Sequence, residues 1–502
     1  MRKPLYTAVS AAIFVLFLSR PASSAEAPYP DAGPRMEHAK GLASTRDYAG
    51  AAREFAKVIE EFPRSPLAPE AEFRMAEAYL DAGRCKDAEA EFKLFLSNFP
   101  DSALAHRAKA RLAEARAARI MEGLPVVSAV DGQGPDAGEM RAVQVMNFAS
   151  KDYAGVEEEI RVLRASGVNT IILRVFHNEG DRYYPMARHE TGAVSGVYFK
   201  TGAAPVVDDV LGPVVDIGHR CGVKVFAWMT TRYADYGMKG ADGRACKAYD
   251  LATGAFAPCK GLDLFDERNV RRLEAIYSDL AAYPIDGVLF QDDLVLRHNE
   301  GFGPSMDAAF RRETGKEARP GALYVRGADQ GHAGYTPLFR EWAAWKNKRL
   351  LDVAGRLRTA VRKKRPEARI AINLMYESVT DPANALVWLS QSLPQAVARG
   401  FDYYSIMAYH RQMADELGQS PERVAAMIDK MSADAIAEVG GKGKVLMKLQ
   451  TVDWKTGEPL PQSEVVGLIR GLKRRGVSLA VVPYRPGFPF YELGAYAAVS
   501  AH

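Results

Sequence analysis

The sequence has little cysteine and lacks the motifs of common metal and redox sites. Only four cysteines occur in 502 residues, and neither C-x-x-C nor H-E-x-x-H is present. Because zinc sites and thioredoxin-type sites depend on such spacings, we expect no metal and no cofactor. Cys246 and Cys259 flank a polar loop that contains glycine. In an oxidising compartment they could form a disulfide, and the alternative is two unbridged thiols.

A large charge excess and a long apolar run are also lacking. The 66 Lys and Arg residues nearly balance the 62 Asp and Glu residues, with a net charge of +4, so charge indicates no nucleic-acid or membrane-surface partner. Residues 1–25 combine Arg2 and Lys3 with a short apolar stretch at 8–18 and small residues at 23–25. This pattern predicts a signal peptide, because the stretch is too short for a permanent membrane anchor. We expect a periplasmic or secreted chain with no membrane span after signal cleavage.

Residues 36–120 contain an internal repeat. The segment Y-A-G-A-A-R-E-F at 48–55 corresponds to C-K-D-A-E-A-E-F at 85–92. The offset of about 37 residues is close to the period of tetratricopeptide repeats. The matched positions, which we expect to be buried, are Ala51 and Ala88, Phe55 and Phe92, and Phe62 and Phe99. The pattern predicts an all-α, tetratricopeptide-like domain that either binds a partner protein or acts as a spacer, followed by a linker at 121–139.

Eight short apolar runs follow the linker and alternate with helical patterns. They lie at 142–148, 170–176, 223–229, 286–290, 369–374, 403–409, 444–450 and 478–484. Each run is rich in β-branched or aromatic residues and is nearly continuously apolar, as buried parallel strands are. Eight strands that alternate with helices indicate an α/β protein with a closed (β/α)8 TIM barrel, which we place at 140–495.

The fourth run ends in two adjacent carboxylates, as part of I-D-G-V-L-F-Q-D-D from Ile285 to Asp293. Barrel enzymes keep their reacting groups at the carboxyl ends of the strands. Hydrolysis of a glycosidic bond most often needs two carboxyl groups. We therefore predict that Asp292 and Asp293 are catalytic, with Glu377 or Asp453 as a possible second acid.

Other polar and aromatic residues also follow the predicted strands and are candidates for substrate binding. They are Arg174, His177, Trp228, Gln291, Asn373, Tyr409, His410, Gln450, Trp454 and Tyr484. Aromatic rings can stack on the apolar face of a sugar, while amides and carboxylates bind its hydroxyl groups. Two of them have structural alternatives, since Trp228 could fill the barrel and Arg174 could be a counter-ion.

Three segments resemble a known family. They are Y-F-K-T-G-A-A-P through V-K-V-F-A-W-M at 198–229, L-F-D-E-R-N-V through F-Q-D-D at 264–293, and L-Q-T-V-D-W-K-T-G-E-P-L-P at 449–461. Together they are similar to the C-terminal glycoside hydrolase domain of bacterial poly-β-1,6-N-acetylglucosamine deacetylases (glycoside hydrolase family 153). The resemblance implies an endo-acting, hexosaminidase-like enzyme that cleaves a partially deacetylated biofilm exopolysaccharide in the periplasm. It also implies a catalytic carboxylate in the Asp292–Asp293 pair, with Trp228, Asp453 and Trp454 in the sugar cleft.

The chain departs from that family in two respects. The metal-dependent deacetylase half is replaced by the helical repeats, so we expect no deacetylase activity. The stretch after strand six, at 407–412, lacks the acidic residue expected there, so the second catalytic group is open. Retaining, inverting and substrate-assisted mechanisms all remain possible. The alternative function is a non-catalytic polysaccharide-binding barrel that the repeats dock to an envelope export complex.

Overall fold

A computed structural model describes residues 32–45, 47–63, 65–109, 111, 112, 115, 139–238, 244–325 and 334–494. The predicted signal peptide lies outside the described residues, as does the predicted linker apart from its last residue. The chain divides into two compact units, Met1–Pro125 and Val126–His502. Each unit is described by itself.

The described part of the first unit is helical. It contains α1 (Gly33–Ser44), α2 (Tyr48–Glu61), α3 (Ala68–Asp81) and α4 (Cys85–Asn98), and consecutive helices pack together. Ala51 and Ala88 are completely buried, which lets neighbouring helices approach closely. Phe62 and Phe99 follow α2 and α4 with nearly the same backbone angles, φ/ψ of −130°/53° and −132°/59°. The two halves of the predicted repeat therefore have the same local structure.

The second unit is a closed barrel of eight parallel strands. The strands are β1 (Arg141–Val145), β2 (Thr170–Arg174), β3 (Lys224–Met229), β4 (Gly287–Phe290), β5 (Arg369–Met375), β6 (Tyr403–Met407), β7 (Val445–Gln450) and β8 (Ser478–Val482). They follow chain order around the barrel, and β1 pairs with β8 to close it. In the shared register Val143 of β1 lies opposite Ile171 of β2 and Val481 of β8. The predicted TIM barrel is confirmed.

Helices connect the strands and cover the barrel. They are α5 (Tyr153–Ala165), α6 (Leu211–Arg220), α7 (Glu267–Leu280), α8 (Pro304–Thr314), α9 (Pro320–Leu323), α10 (Pro337–Lys364), α11 (Glu377–Thr380), α12 (Pro382–Leu389), α13 (Leu393–Ala398), α14 (His410–Leu417), α15 (Pro421–Val439) and α16 (Gln462–Arg475), with 3-10 turns at Lys442–Lys444 and Phe490–Glu492. None of the helices in the described ranges is long and apolar enough to cross a membrane.

Additional short strands enlarge the loops at the carboxyl ends of β2, β3 and β4. Phe176–His177 pairs with Gly196–Val197, Ala245–Tyr249 pairs with both Phe256–Leu262 and Glu300–Phe302, and Tyr324–Val325 pairs with Gly334–Tyr335. Cys246 and Cys259 lie on the two strands of one of these hairpins. Both are unbridged thiols.

Aromatic rings fill the amino-terminal half of the barrel. The ring of Phe226 in β3 lies 6.1 Å from the ring of Tyr403 in β6. Gly287 begins β4, where a Cβ atom would lie 2.4 Å from the Phe226 ring and 2.5 Å from the carbonyl oxygen of Arg369. Only glycine fits beside the ring.

Candidate active site

Asp293 holds the loop that follows β3. The backbone N–H of Thr231 donates to both of its carboxylate oxygens at 2.9 and 3.0 Å, and the Thr231 hydroxyl donates at 2.6 Å. The N–H of Tyr233 donates at 2.7 Å. Only 1% of Asp293 is exposed. Burial raises its pKa to about 6, although these hydrogen bonds lower it. Both oxygens are occupied by donors from one loop, so Asp293 fixes that loop in place.

Asp292 differs from its neighbour because its carboxylate is not used within the protein. It is half-buried, and its side chain makes no hydrogen bond or ion pair with the described residues. Burial lowers the pKa of Lys448 and raises the pKa values of Tyr409 and Asp293, and the negative charge of Asp292 adds a smaller upward contribution to all three. Asp292 is therefore the member of the pair whose oxygens can meet a ligand at the barrel mouth.

Lys448 of β7 is a buried cation close to this mouth. It is 1% exposed, and its Nζ donates to Oδ1 of Asn373 at 3.3 Å. Nδ2 of Asn373 in turn donates to the carbonyl oxygen of Phe290 at 3.0 Å, which fixes the amide. Burial lowers the pKa of Lys448 to about 8, against the charge of Asp292.

Two aromatic residues complete this side of the mouth. The Lys448 ammonium lies 5.9 Å from the ring centre of Tyr409, and the Tyr409 ring lies 5.4 Å from Trp454 at 65°. Burial, and then the charge of Asp292, raise the pKa of the Tyr409 phenol well above its usual value, so it stays neutral. Trp454 is 39% exposed, which leaves part of its indole surface for stacking.

Trp228 and Gln291 form a hydrogen-bonded pair in the barrel wall. The indole N–H of Trp228 donates to Oε1 of Gln291. The indole meets the ring of Phe176 edge to face at 5.1 Å, and only 8% of Trp228 is exposed. Most of the indole surface is covered by the protein, which matches the structural alternative for this residue.

The two possible second acids have opposite surroundings. Oδ1 of Asp453 accepts from the N–H groups of Lys455 and Thr456 at 2.7 and 3.1 Å, and these bonds lower its pKa. Asp453 therefore stabilises a tight turn and stays ionised. Glu377 begins α11, directly after β5, and its Oε2 is buried without a hydrogen-bond partner. Burial, with a further contribution from the charge of Glu416, raises the pKa of Glu377, as a proton donor requires.

Arg174 and His177 are engaged within the loop that follows β2. The Arg174 guanidinium donates to the carboxylate of Asp181 at 3.1 Å and to the carbonyl oxygen of Arg182 at 2.6 Å. Nδ1 of His177 lies 3.0 Å from the hydroxyl of Tyr198. Both residues are almost completely buried. These contacts organise the loop and agree with the counter-ion alternative for Arg174.

Gln450 supports the helix that follows β6. Its Oε1 accepts from the N–H groups of Arg411 and Gln412 at 3.0 and 3.2 Å, and its Nε2 donates to the carbonyl oxygen of Val452 at 2.8 Å. The amide thus satisfies two N–H groups in the first turn of α14, groups that a helix leaves unpaired. Its hydrogen-bonding atoms are occupied by the protein.

His410 and Tyr484 lie apart from Asp292. His410 lines a groove of about 400 Å³ between α15 and α16, with Nε2 3.5 Å from a carboxylate oxygen of Glu464. Burial lowers its pKa. Tyr484 is buried and stacks on Phe490 at 5.7 Å, with its hydroxyl in contact with Glu159. Of the ten predicted binding residues, Asn373 and Tyr409 lie beside Lys448, Trp454 packs against Tyr409, and Trp228 and Gln291 bind each other.

Sequence reasoning missed three elements of this site. Lys448 interrupts an otherwise apolar run, V-L-M-K-L-Q, and a buried charge of this kind is a readable signal. Thr231, the main partner of Asp293, gives no such signal. Trp388 of α12 is 37% exposed, and its ring lies 4.3 Å from that of His298. It was overlooked because it follows no strand directly.

The mouth thus combines one free carboxylate, one buried cation, a carboxyl group of raised pKa and exposed indoles. Within the described ranges, no three His, Cys, Asp or Glu side chains are grouped so that they could hold a metal ion. Carboxyl groups and indoles at the carboxyl end of a barrel are the components of a sugar-cleaving site.

Comparison with protein families agrees with this chemistry. The model of the hypothetical glycosyl hydrolase family 13 matches residues 156–481. The chain belongs to this family. A tetratricopeptide repeat model matches residues 42–112, which confirms the predicted repeats. No curated protein matches the chain. The barrel is accordingly a glycoside hydrolase domain with a role in glycan processing.

One solved structure confirms the fold. The glycoside hydrolase domain of PgaB (BpsB) from Bordetella bronchiseptica is 21% identical with a TM-score of 0.56, over 72% of this chain and 99% of that domain. This likeness at the level of fold agrees with the resemblance read from the sequence. A β-galactosidase from Halorubrum lacusprofundi is 11% identical with a TM-score of 0.48, over 70% of this chain and 57% of that one. One from Rahnella sp. R3 is 12% identical with a TM-score of 0.46, over 69% and 50%.

Proposed function

We propose that this glycoside hydrolase domain cleaves a β-1,6-linked, partially deacetylated N-acetylglucosamine polymer within its chain, in the periplasm or outside the cell. The observation that carries the proposal is the asymmetry of the acid pair. The carboxylate of Asp293 accepts hydrogen bonds from the loop after β3. The oxygens of Asp292 are not hydrogen-bonded to the described residues, and its charge acts on Lys448 and Tyr409. A carboxylate kept unbonded at the barrel mouth is suited to reaction with a substrate.

Hydrolysis then needs a proton donor for the leaving oxygen. Glu377 fits this role because its pKa is raised and one of its oxygens is buried without a partner. Asp453 does not, because its pKa is lowered by the turn that it stabilises. In this mechanism Asp292 remains anionic, and Glu377 gives up its proton.

The surroundings of the mouth favour an amino sugar polymer. Glu377 lies close to Glu416, whose carboxylate accepts from the Tyr376 hydroxyl at 2.9 Å. Carboxylates at this position attract the ammonium groups of deacetylated glucosamine units. Trp454 and Trp388 are exposed on the loops after β7 and β5, where each can stack on a sugar ring. Stacking surfaces on two separate loops suit a substrate of several sugar units and hence cleavage within a chain.

The direct test is incubation of the purified protein with β-1,6-linked glucosamine polymers of graded deacetylation, followed by measurement of chain length. Wild-type protein should shorten partially deacetylated polymer, and Asp292→Asn should not. Fully acetylated polymer is the control, because it lacks the ammonium groups that the carboxylates of Glu377 and Glu416 are proposed to attract. Unchanged chain length with every polymer would contradict hydrolysis.

One observation favours a second candidate function, a polysaccharide-binding barrel without catalysis. The stretch after β6, at 407–412, carries no acidic residue, and Asp453 beyond β7 is committed to a turn. A barrel without catalytic activity would bind the polymer in the same assay and leave the length of the polymer unchanged. Binding measured beside cleavage therefore separates the two functions.

We also propose that the helical repeats dock the enzyme to an envelope complex that exports the polysaccharide. The match to tetratricopeptide repeats at 42–112 supports a protein partner. Removal of residues 36–120 should abolish this association and leave the cleavage of short oligosaccharides intact, because the site residues all belong to the barrel unit. Loss of cleavage in a folded deletion variant would contradict this separation.

A further inference from the structure

The loops after β3, β4 and β5 bring aromatic side chains together outside the barrel. Several of them form a cluster around Trp342 of α10, in which Phe302 and Phe339 are covered by protein. Phe256 differs from these residues, because 54% of it is exposed at the start of the strand Phe256–Leu262. A single exposed apolar residue needs no explanation, but one that continues into further partly exposed rings indicates a binding surface.

A row of aromatic rings joins Phe256 to Trp388, the exposed indole on the loop after β5. The centres of neighbouring rings along the row are 4.3 to 6.4 Å apart. In order, the members of this aromatic row are Trp388, His298, Tyr335, Tyr324, Tyr249 and Phe256. The two ends are exposed, Tyr324 is buried, and the other three members are half-buried. The row therefore has accessible ring surface along its length.

Hydrogen bonds hold the aromatic row in place. The Tyr335 hydroxyl lies 3.1 Å from Nδ1 of His298, and the Tyr324 hydroxyl donates to the carbonyl oxygen of His298 at 2.9 Å. The N–H of Tyr249 donates to the carbonyl oxygen of Asn299 at 2.8 Å, and Nδ2 of Asn299 donates to the carbonyl oxygen of Tyr249 at 3.1 Å. Because these side chains are ordered before a ligand arrives, binding costs little conformational entropy.

The inner end of the row is attached to the strands that carry the proposed reacting groups. The N–H of Leu296, on the loop after β4, donates to the carbonyl oxygen of Leu389 at 3.1 Å. The Ser390 hydroxyl donates to the carbonyl oxygen of Leu296 at 2.9 Å. These bonds fasten the loop after β4 to the end of α12, the helix that presents Trp388. Since β4 and β5 are neighbours in the barrel, the row begins on the loops of the strands at which the substrate reacts.

We propose that the aromatic row is an extended sugar-binding surface that holds units of the polymer beyond those at the barrel mouth. This inference rests on the proposed function and deepens it. Most members of the row are tyrosine or histidine, whose rings combine an apolar face with a polar edge. A sugar unit likewise has an apolar face and a rim of hydroxyl groups, so it fits this surface better than a wholly apolar partner does. The row makes long chains bind more tightly than short ones.

Binding as a function of chain length tests the proposal. Calorimetric titration in the Asp292→Asn background compares a short β-1,6-linked glucosamine oligosaccharide with a long, partially deacetylated polymer. Phe256→Ala should weaken binding of the long polymer by about five- to tenfold, the scale of one lost stacking contact, and binding of the oligosaccharide by much less. Phe256→Trp keeps a stacking surface and should bind the polymer at least as tightly as its parent. Equal affinities of Phe256→Ala and its parent for the long polymer would overturn the proposal.

Tyr491→Ala is the matched control, because it also removes an exposed ring. Tyr491 follows β8, which does not adjoin β3, β4 or β5 in the barrel, so this variant should bind both ligands as its parent does. Both alanine variants should keep a melting temperature close to that of the parent, since neither ring is buried. Equal weakening of polymer binding in the two variants would also overturn the proposal, because the effect would not be specific to the row.

The outcome for the aromatic row can be distinguished from the outcome for hydrolysis. Weaker polymer binding by Phe256→Ala, in a protein that leaves polymer length unchanged, would support the row and reject the proposed hydrolysis. Normal shortening of the polymer, with an affinity that does not depend on chain length, would support hydrolysis and overturn the row. A protein that neither binds nor shortens the polymer would overturn both.

Discussion

Thr231 donates both its backbone N–H and its hydroxyl to the carboxylate of Asp293, the hydroxyl at 2.6 Å. The loop after β3 is thereby fastened to the residue that follows Asp292 in the chain. The orientation of Asp292 depends on this attachment, because adjacent residues share a backbone. One carboxylate of the pair is a structural anchor for the other.

The first prediction separates the roles of the two carboxylates. Asp293→Asn should lower the melting temperature as well as activity, because an amide offers one acceptor where the loop needs two. Each buried donor left unpaired costs about 1–3 kcal/mol. Asp292→Asn should lower polymer cleavage by about 10²-fold or more, the scale of a lost reacting group, with a smaller change in melting temperature. Thermal melts and cleavage assays on both variants give the comparison. Equal losses of stability would contradict the distinction.

The second prediction concerns the proton donor. Glu377→Gln should lower cleavage by about 10²-fold and remove the alkaline limb of the rate profile. The sign follows from the raised pKa of Glu377: the group is protonated below this pKa, and activity is lost as pH rises through it. Asp453→Asn is the matched control, and it should affect the turn more than the rate profile. A Glu377→Gln variant with wild-type turnover would place the acid elsewhere.

The third prediction distinguishes binding indoles from a wall residue. Trp454→Ala and Trp388→Ala should weaken binding of oligosaccharides in a titration and change the melting temperature little. Trp228→Ala should lower stability by about 3–5 kcal/mol, because it removes a buried indole. Tyr491→Ala, which removes an exposed ring on the 3-10 turn after β8, serves as the control. Unchanged binding in both exposed variants would place the cleft elsewhere.

The fourth prediction concerns Cys246 and Cys259. Incubation with a disulfide oxidant should join them, because they lie on the two paired strands of one hairpin. Two free thiols should disappear, and the closed loop should stabilise the protein by about 3 kcal/mol. Cys246→Ser should abolish both effects, while Cys221→Ser should abolish neither. Retention of all four thiols under oxidation would show that the pair is held in an unsuitable geometry.

The barrel could be predicted because its signal is repeated eight times. Each apolar run agrees with an observed strand, although the runs at 170–176, 403–409 and 478–484 extend two residues too far and the run at 142–148 extends three. At β2 the reason is visible: Phe176–His177 leaves the barrel to pair with Gly196–Val197. The run at 286–290 ends at the same residue as β4, Phe290, so the position of Asp292 and Asp293 just beyond a strand could be predicted.

The different roles of Asp292, which is free to react, and Asp293, which holds a loop, could not be predicted in the same way. It depends on Thr231, about 60 residues earlier in the chain, and threonine has no distinctive pattern at a loop start. Lys448 is a different case, because a lysine within a buried strand is visible in the sequence. The apolar run at 444–450 contains this lysine between Met447 and Leu449, and a charged residue at such a position indicates a site. Arg174 and Gln450 were predicted to bind substrate because they are polar and end their strands. Their hydrogen bonds go to other groups of the protein instead, and the sequence does not reveal those partners.

The amide of Gln450 has a consequence for any substitution survey of this site. It satisfies the N–H groups of Arg411 and Gln412, immediately after Tyr409 and His410. Variants of Gln450 would therefore disturb Tyr409 from a distance and weaken binding as if a ligand contact had been lost. In an alanine scan, Gln450→Ala would therefore be mistaken for the loss of a ligand contact. Gln450→Glu would reveal the difference, because it keeps the acceptor oxygen that holds the helix and should bind ligand more normally.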